Sequence, residues 1–428
     1  KLFSTKLIKD KCKCKFLGDD KRCTTQNISC KLFTCDYLKK TESFDIKLND
    51  FLLEVENKSL THRPDCFGIV GFAREVVGIL GQKFKNPDWY FERENQSSKA
   101  ANIEVEIKDS GICEKYSAVV LDASKILKNS ALTVEKTYLL RSGMRPIDAI
   151  TDLANELMLE SAQPLHTFDF DKLAKINGSE NIKLTVRKAF QNEELELLDG
   201  KKILMSENDI VIATGQNAGI AVALAGAMGG KSTVIDENTT RILVESATFN
   251  LYNLRNTQMR HGIFSEAITR FTKGQPAGAV LPVLNEFITR FEKNGGKQIS
   301  QIVSIAESVN FERSPISVNR ANEVLGKDFS QEEIIQTLEN VGFKSLGEDK
   351  FLAPFWRTDI HIEEDLIEEI GRLNGYDEIP LQLPRRTFKA VKFSEIDLLK
   401  KQIREILVAS GANEVLTYSF VSISLHRL

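Results

Sequence analysis

The sequence predicts an α+β, multidomain chain, and three observations carry that reading. From Ile103 the apolar residues alternate in short runs, IEVEI and then YSAVVL, with helix-like stretches at 134–142 and 147–160 and further short strands through 247. Between Pro315 and Pro384, two short helix signals and the hairpin-like FKSLGEDKFLAP suggest a small helix-turn-helix-like unit with strands. Beyond it, an amphipathic stretch at 394–410 leads into VLTYSFVS, a strand pattern with no partner in this sequence. The expected domains are an N-terminal region over 1–95, a mixed α/β domain over 100–306, the helix-turn-helix-like domain over 312–384, and the start of another domain over 385–428.

At 428 residues the chain has room for three or four domains, and 42% apolar with 27% charged residues is ordinary globular composition. No apolar run approaches the roughly 18 residues of a membrane span. The longest candidate, 218–227, is short and Gly-rich, and the N-terminus lacks a signal-peptide apolar region, so a cytoplasmic protein without membrane contact is expected. A net charge of −3 makes the whole chain no obvious polyanion binder, although residues 1–40 hold eleven Lys or Arg against four Asp. That basic segment reads equally as an RNA contact or as a solvated end. Five of seven cysteines crowd into 12–35, but not as two CxxC knuckles. Their odd number and spacing favour reduced thiols over a zinc site or a disulfide framework.

Along the chain, 51–55 reads as a buried strand and 66–80 as a helix with Phe67, Val70, Gly71 and Val77 on its apolar stripe. Asp65 is its candidate N-cap. Residues 84–102 read as a mostly polar linker. Ser317 to Val324 reads as a short helix, and Ser330 with Glu333 as a capping box for the next one.

Two constellations carry chemistry. In the middle domain, His166 follows Pro164 in an expected loop, Gly226, Gly229 and Gly230 permit close backbone approach, and Glu245 ends the apolar run ILVESA. A carboxylate there is costly unless paired or used. The competing reading has His166 capping a turn, Glu245 paired with an arginine such as Arg260, and the glycines as simple turns. Further on, Asp365, Glu368 and Glu369 stand at i, i+3 and i+4, one face of a helix, with Asp359 six residues upstream. Four oxygen donors suit Mg²⁺ or Ca²⁺. An acidic first turn favoured by the helix dipole accounts for the same spacing.

The second constellation lies in FWRTDIHIEEDLIEEIGRLNGYDEIP, which resembles the metal-binding signature of the bacterial phenylalanyl-tRNA synthetase β-subunit family. That signature reads roughly R-x-D-I, then D-L-x-E-E-I-x-R, then G-Y-D-x-I-P. Two more segments resemble the family in the same order. Arg63-Pro64-Asp65 is similar to its N-R-P-D, with His62 in place of Asn, and 145–274 is similar to its editing domain. The likeness runs from about residue 45 onward and includes the final TYSF.

The resemblance implies Asp359, Asp365, Glu368 and Glu369 as ligands of a structural Mg²⁺. It implies His166, Glu245 and Arg145 as the catalytic group of a site hydrolysing tyrosine mischarged onto tRNA(Phe), with Gly229, Ser265 and Ala267 binding the substrate. The family often has Thr where Ser265 stands and Arg where Lys273 stands. By the resemblance the middle domain is of B3/B4 type, the small domain of B5 type, and 385–428 opens a class II synthetase-like antiparallel domain. It also implies that ATP is used by a holoenzyme whose separate α subunit holds the adenylation site, in an α2β2 heterotetramer acting on tRNA(Phe). Residues 225–231 lack P-loop spacing, which agrees with that division. The family's longer architecture leads one to expect a piece of a longer protein. The alternative is a stand-alone trans-editing or RNA-binding protein built from the same domains.

Overall fold

A computed structural model describes residues 58–91, 103–126, 134–216, 219–306, 315–347, 349–381, 383, 387 and 389–420. The expected strand at 51–55, the basic segment, the cysteine cluster and part of the linker lie outside them. The chain divides into two compact units, 1–379 and 380–428.

In the first unit, a 3₁₀ turn at Pro64–Phe67 precedes helix α1 (Ile69–Ile79). The helix starts later than its apolar stripe suggests, and its N-cap is Gly68, not Asp65. A Cβ at Gly68 would stand 2.4 Å from the backbone nitrogen of Ala162, so close packing selects glycine. Asp65 is instead held by Arg63 and Arg74. The described part of the linker is anchored rather than merely polar, since Tyr90 is buried beside Trp356.

The middle domain begins with β1 (Ile103–Ile107), β2 (Cys113–Asp122), α2 (Val134–Arg141) and α3 (Ala149–Ser161), the last capped by Asp148. Next come β3 (Leu165–Asp169), α4 (Phe170–Asn177), β4 (Ile182–Lys188), β5 (Glu194–Glu196) and β6 (Lys202–Leu204). Strands β7 (Ile210–Thr214), β8 (Ile220–Leu224), β9 (Met228–Gly229) and β10 (Arg241–Phe249) follow. The domain closes with α5 (Leu251–His261), α6 (Glu266–Phe271), α7 (Val280–Lys293), β11 (Lys297–Gln298) and β12 (Val303–Ala306).

Two sheets result. One has the order β1-β4-β7-β8-β9, with only β1 and β4 parallel. The other has the order β11-β2-β10-β3, with β12 also on β2. Strand alternation sorts the second sheet into two faces. Tyr116, Ala118, Val120, Phe168, Leu243 and Ala247 pack with Leu184, Val186 and Ile212 of the first sheet. Val119, Leu121, Ile242 and Val244 pack with Leu153 and Leu157 of α3 and Phe287 and Phe291 of α7. The central strand β10 is thus buried on both faces, which accounts for its nearly unbroken apolar run.

The small domain holds β13 (Ile316–Ser317), α8 (Ala321–Leu325), α9 (Gln331–Asn340), β14 (Lys344–Gly347), β15 (Lys350–Leu352) and α10 (Glu363–Asn374). The Ser330–Glu333 capping box forms as expected, and so does the hairpin. The helix expected from Ser317 is shorter, because Ile316 and Ser317 pair with β15. Leu338, Phe351, Leu366 and Ile370 form the core.

The second unit contains α11 (Glu395–Ala409), capped by Ser394. The strand expected at VLTYSFVS is not formed over 415–420, where no partner strand among the described residues meets its backbone groups, and 421–428 lie outside the described residues. No helix among the described residues is long and apolar enough to cross a membrane.

Candidate active site

Strand register, not sequence proximity, builds the candidate site. His166 of β3 is the direct antiparallel partner of Glu245 in β10, so the two side chains share a face. On the other flank Glu245 is paired with Ala118, which makes Tyr116 its diagonal neighbour on that face. The Tyr116 hydroxyl donates to Glu245 Oε2 at 3.0 Å. His166 thus sits in a strand rather than the expected loop, and Glu245 pairs with a tyrosine rather than an arginine.

Gly229 closes the site from the other sheet. A Cβ there would lie 2.5 Å from His166 Cε1 and 2.7 Å from Nε2, so only glycine admits the imidazole. Gly226 takes a positive φ of 63° to make the turn before it. The resulting cleft is lined by His166, Met228, Gly229, Glu245, Ala267 and Phe271 among others. Its walls are mostly apolar with two titratable groups, the usual make-up of a small-ligand site.

Burial sets the charge states. It pushes the Glu245 carboxyl up to about 8, the donated bond from Tyr116 opposing that rise. It also pushes the His166 imidazole down to about 4. Near neutral pH the cleft therefore offers a largely protonated carboxyl and a neutral imidazole. Burial is the one cause of that lowering, with no ionised carboxylate offsetting it, so His166 serves to orient and hydrogen-bond rather than to carry charge.

Two expected members lie elsewhere. Arg145 is exposed on the segment between α2 and α3 and does not line the cleft. Ser265 caps α6, accepting from the Ile268 amide at 3.2 Å and donating to the Ala227 carbonyl at 2.8 Å. It braces the turn that carries Met228 and Gly229. Tyr116 escaped the sequence reading, because within YSAVVL it is one more apolar strand position.

The four expected metal ligands do not converge. Asp359 accepts two bonds from Arg357, at 2.9 and 2.6 Å. Glu369 accepts from Arg357 at 2.6 Å and from Arg372 at 2.8 and 2.6 Å. Asp365 caps α10, accepting from the amides of His361 and Ile362 at 2.7 and 2.9 Å, while Glu368 is exposed. Among the described residues, no group of three or more His, Cys, Asp or Glu side chains is arranged to hold a metal. Arranged in this way, the residues do not fit a resident Mg²⁺, since a cation would have to displace guanidinium groups.

Those arginines extend a buried network. Arg63 binds Asp65 and Glu75, Arg74 binds Asp65, and Arg372 binds Glu75. Four guanidinium groups thus meet four carboxylates, and Arg74 also lies over the Trp356 ring at 3.8 Å. The Arg63-Pro64-Asp65 motif is therefore the half of this joint contributed by the α1 region.

Comparison with known proteins agrees with this architecture. Residues 112–312 match the B3/4 domain family, 315–376 the tRNA synthetase B5 domain, and 379–427 the phenylalanyl tRNA synthetase beta chain CLM domain. The phenylalanine–tRNA ligase beta subunit of Anaeromyxobacter dehalogenans is 35% identical over 384 residues, covering 88% of this chain and 46% of that protein. Those of Oceanobacillus iheyensis and Geobacter metallireducens are 31% and 32% identical with the same coverage. The chain thus spans about half the length of the curated relatives it matches. A crystal structure of an N-terminal fragment of the phenylalanyl-tRNA synthetase beta-subunit from Pyrococcus horikoshii aligns at 15% identity with a TM-score of 0.35. That alignment covers 72% of this chain and 83% of the fragment, and at that score it carries no weight. With three domain families in order and relatives matching most of its length, the chain belongs to the phenylalanyl-tRNA synthetase β-subunit family.

Proposed function

We propose that the chain serves in a phenylalanine–tRNA ligase as β subunit, supporting ATP-dependent charging of tRNA(Phe) by an α subunit, and that its cleft hydrolyses mischarged Tyr-tRNA(Phe). The observation that carries the editing reading is Glu245, a buried carboxyl facing an apolar cleft that has, among the described residues, one neutral hydrogen-bond donor, Tyr116, and no cationic partner. A pocket shaped for phenylalanine rejects the added hydroxyl of tyrosine only about 100-fold, so a second site that selects for the hydroxyl is needed. Glu245 meets that need. With a phenol bound, its free oxygen is paired; with a phenyl ring it is left unpaired, which disfavours the phenylalanyl ester.

Hydrolysis then requires only an oriented water. Among the described residues neither a serine nor a cysteine lines the cleft beside His166, so water attacks the ester carbonyl carbon. The bond to the ribose oxygen breaks, and that oxygen takes up a proton, leaving free tyrosine and an intact tRNA 3′ end. His166, neutral at physiological pH, hydrogen-bonds the water or the ester end.

The test is hydrolysis of Tyr-tRNA(Phe) by this chain, alone and with the α subunit. Glu245→Ala is expected to lower kcat/KM on the order of 100-fold, the size of one hydrogen bond to a buried carboxyl. Undiminished hydrolysis in that variant removes Glu245 from the reaction.

A further inference from the structure

Resting on that reading, we propose that Tyr116 is the positioning residue that gives the cleft its specificity: it occupies Oε2 of Glu245 and leaves Oε1 as the one oxygen offered to a para-hydroxyl. The argument begins with geometry. Tyr116 and Glu245 stand diagonally on one sheet face, where a long aromatic side chain reaches its neighbour. The tyrosine is wholly buried and the carboxyl nearly so, at 0% and 4% exposure. Water therefore does not replace either partner freely. A buried tyrosine hydroxyl needs a partner, and its partner here is Glu245 Oε2 at 3.0 Å.

The consequence concerns which atom the ligand meets. A carboxyl free to rotate presents either oxygen and adapts to ligands lacking a hydroxyl. Pinned through Oε2, it presents a fixed oxygen at a fixed height above the cleft floor. Discrimination then follows from an oxygen that a tyrosyl ring satisfies and a phenylalanyl ring cannot. The second effect is electrostatic. The hydroxyl's donated bond favours the ionised carboxylate and so opposes the rise that burial imposes on Glu245. Burial, and after it Glu245, makes ionisation of Tyr116 harder, which keeps Tyr116 a donor throughout the working pH range.

The experiment compares the wild-type chain, Tyr116→Phe, Glu245→Ala and the double variant, each with the α subunit, on Tyr-tRNA(Phe) and Phe-tRNA(Phe). Tyr116→Phe is expected to lower kcat/KM for the tyrosyl ester about tenfold while sparing the phenylalanyl ester. It should add no further loss on top of Glu245→Ala, because it acts through that residue. The inflection of the pH–rate profile that reports Glu245 should move to higher pH in Tyr116→Phe, which a purely structural role would not cause.

An unchanged Tyr116→Phe, equal losses on both esters, or losses additive with Glu245→Ala overturn the proposal while the editing reading stands. A wild-type chain inactive on the tyrosyl ester, or a fully active Glu245→Ala, overturns both. If Tyr116→Phe melts early, difluorotyrosine placed at 116 tests the same bond without emptying the site. A stronger donor should move the inflection to lower pH, and an unmoved inflection overturns the proposal.

Discussion

Glu245 and Glu369 are both buried glutamates, at 4% and 2% exposure, yet their surroundings treat them in opposite ways. Glu369 lies between Arg357 and Arg372. Burial alone would push its carboxyl up, but the two guanidinium groups hold it well below the usual carboxylate range. Among the described residues Glu245 has a phenol beside it and no cation, and burial lifts it to about 8. The difference separates structure from chemistry. A carboxylate neutralised within the fold joins segments; one left short of a partner is available to a ligand.

The largest effect that can break this comparison is on stability. Arg357→Ala leaves Glu369 and Asp359 short of their shared guanidinium and should cost about 3–5 kcal/mol, the usual cost of orphaning a buried charge. Glu245→Gln removes no ion pair and should cost under ~1 kcal/mol. Urea denaturation of both variants decides it. Comparable losses would show that Glu245 is as structural as Glu369.

A smaller effect is the pH dependence of stability, where the two glutamates have opposite signs. Glu245 has a raised folded pKa, so its contribution is fully present below the unfolded value of 4.5 and is lost as pH rises through about 8. Glu369 has a depressed folded pKa, so its contribution is present above the unfolded value and is lost only as pH falls below the usual carboxylate range. His166, lowered from 6.5 to about 4, also loses its contribution as pH falls across that window. Denaturation midpoints should thus decline as pH rises from about 6.5 to about 8 in the wild type, above the range in which His166 opposes the trend, but not in Glu245→Gln. A slope that persists in the variant assigns it to another group.

The smallest effect expected is from metal. If Asp359 and Glu369 are neutralised by arginine, millimolar Mg²⁺ should leave the melting temperature within about 1 °C, since only a ligand that binds the folded state raises it. A clear rise that disappears in Asp359→Asn would restore those carboxylates as a cation site.

The sequence by itself determined what is local. Ser330 with Glu333 wrote the start of α9, and the period-two patterns at 103–107 and 116–121 wrote strands. His166, Gly229 and Glu245 stood out because each is chemically out of place or sterically special where it occurs, and the cleft unites them. Acidic spacing near 365 correctly announced a helix start, with Asp365 as its cap, but it did not show what the other carboxylates would meet. Those meetings were decided by tertiary structure. Tyr116 and Glu245 are 129 residues apart, and Arg372 and Glu75 are 297 apart. Helix caps and alternation arise from hydrogen bonds and burial within a few residues, so one segment contains its own signal. Whether a buried carboxylate finds a guanidinium or a phenol depends on which distant strand or helix packs against it, and no spacing along the chain records that.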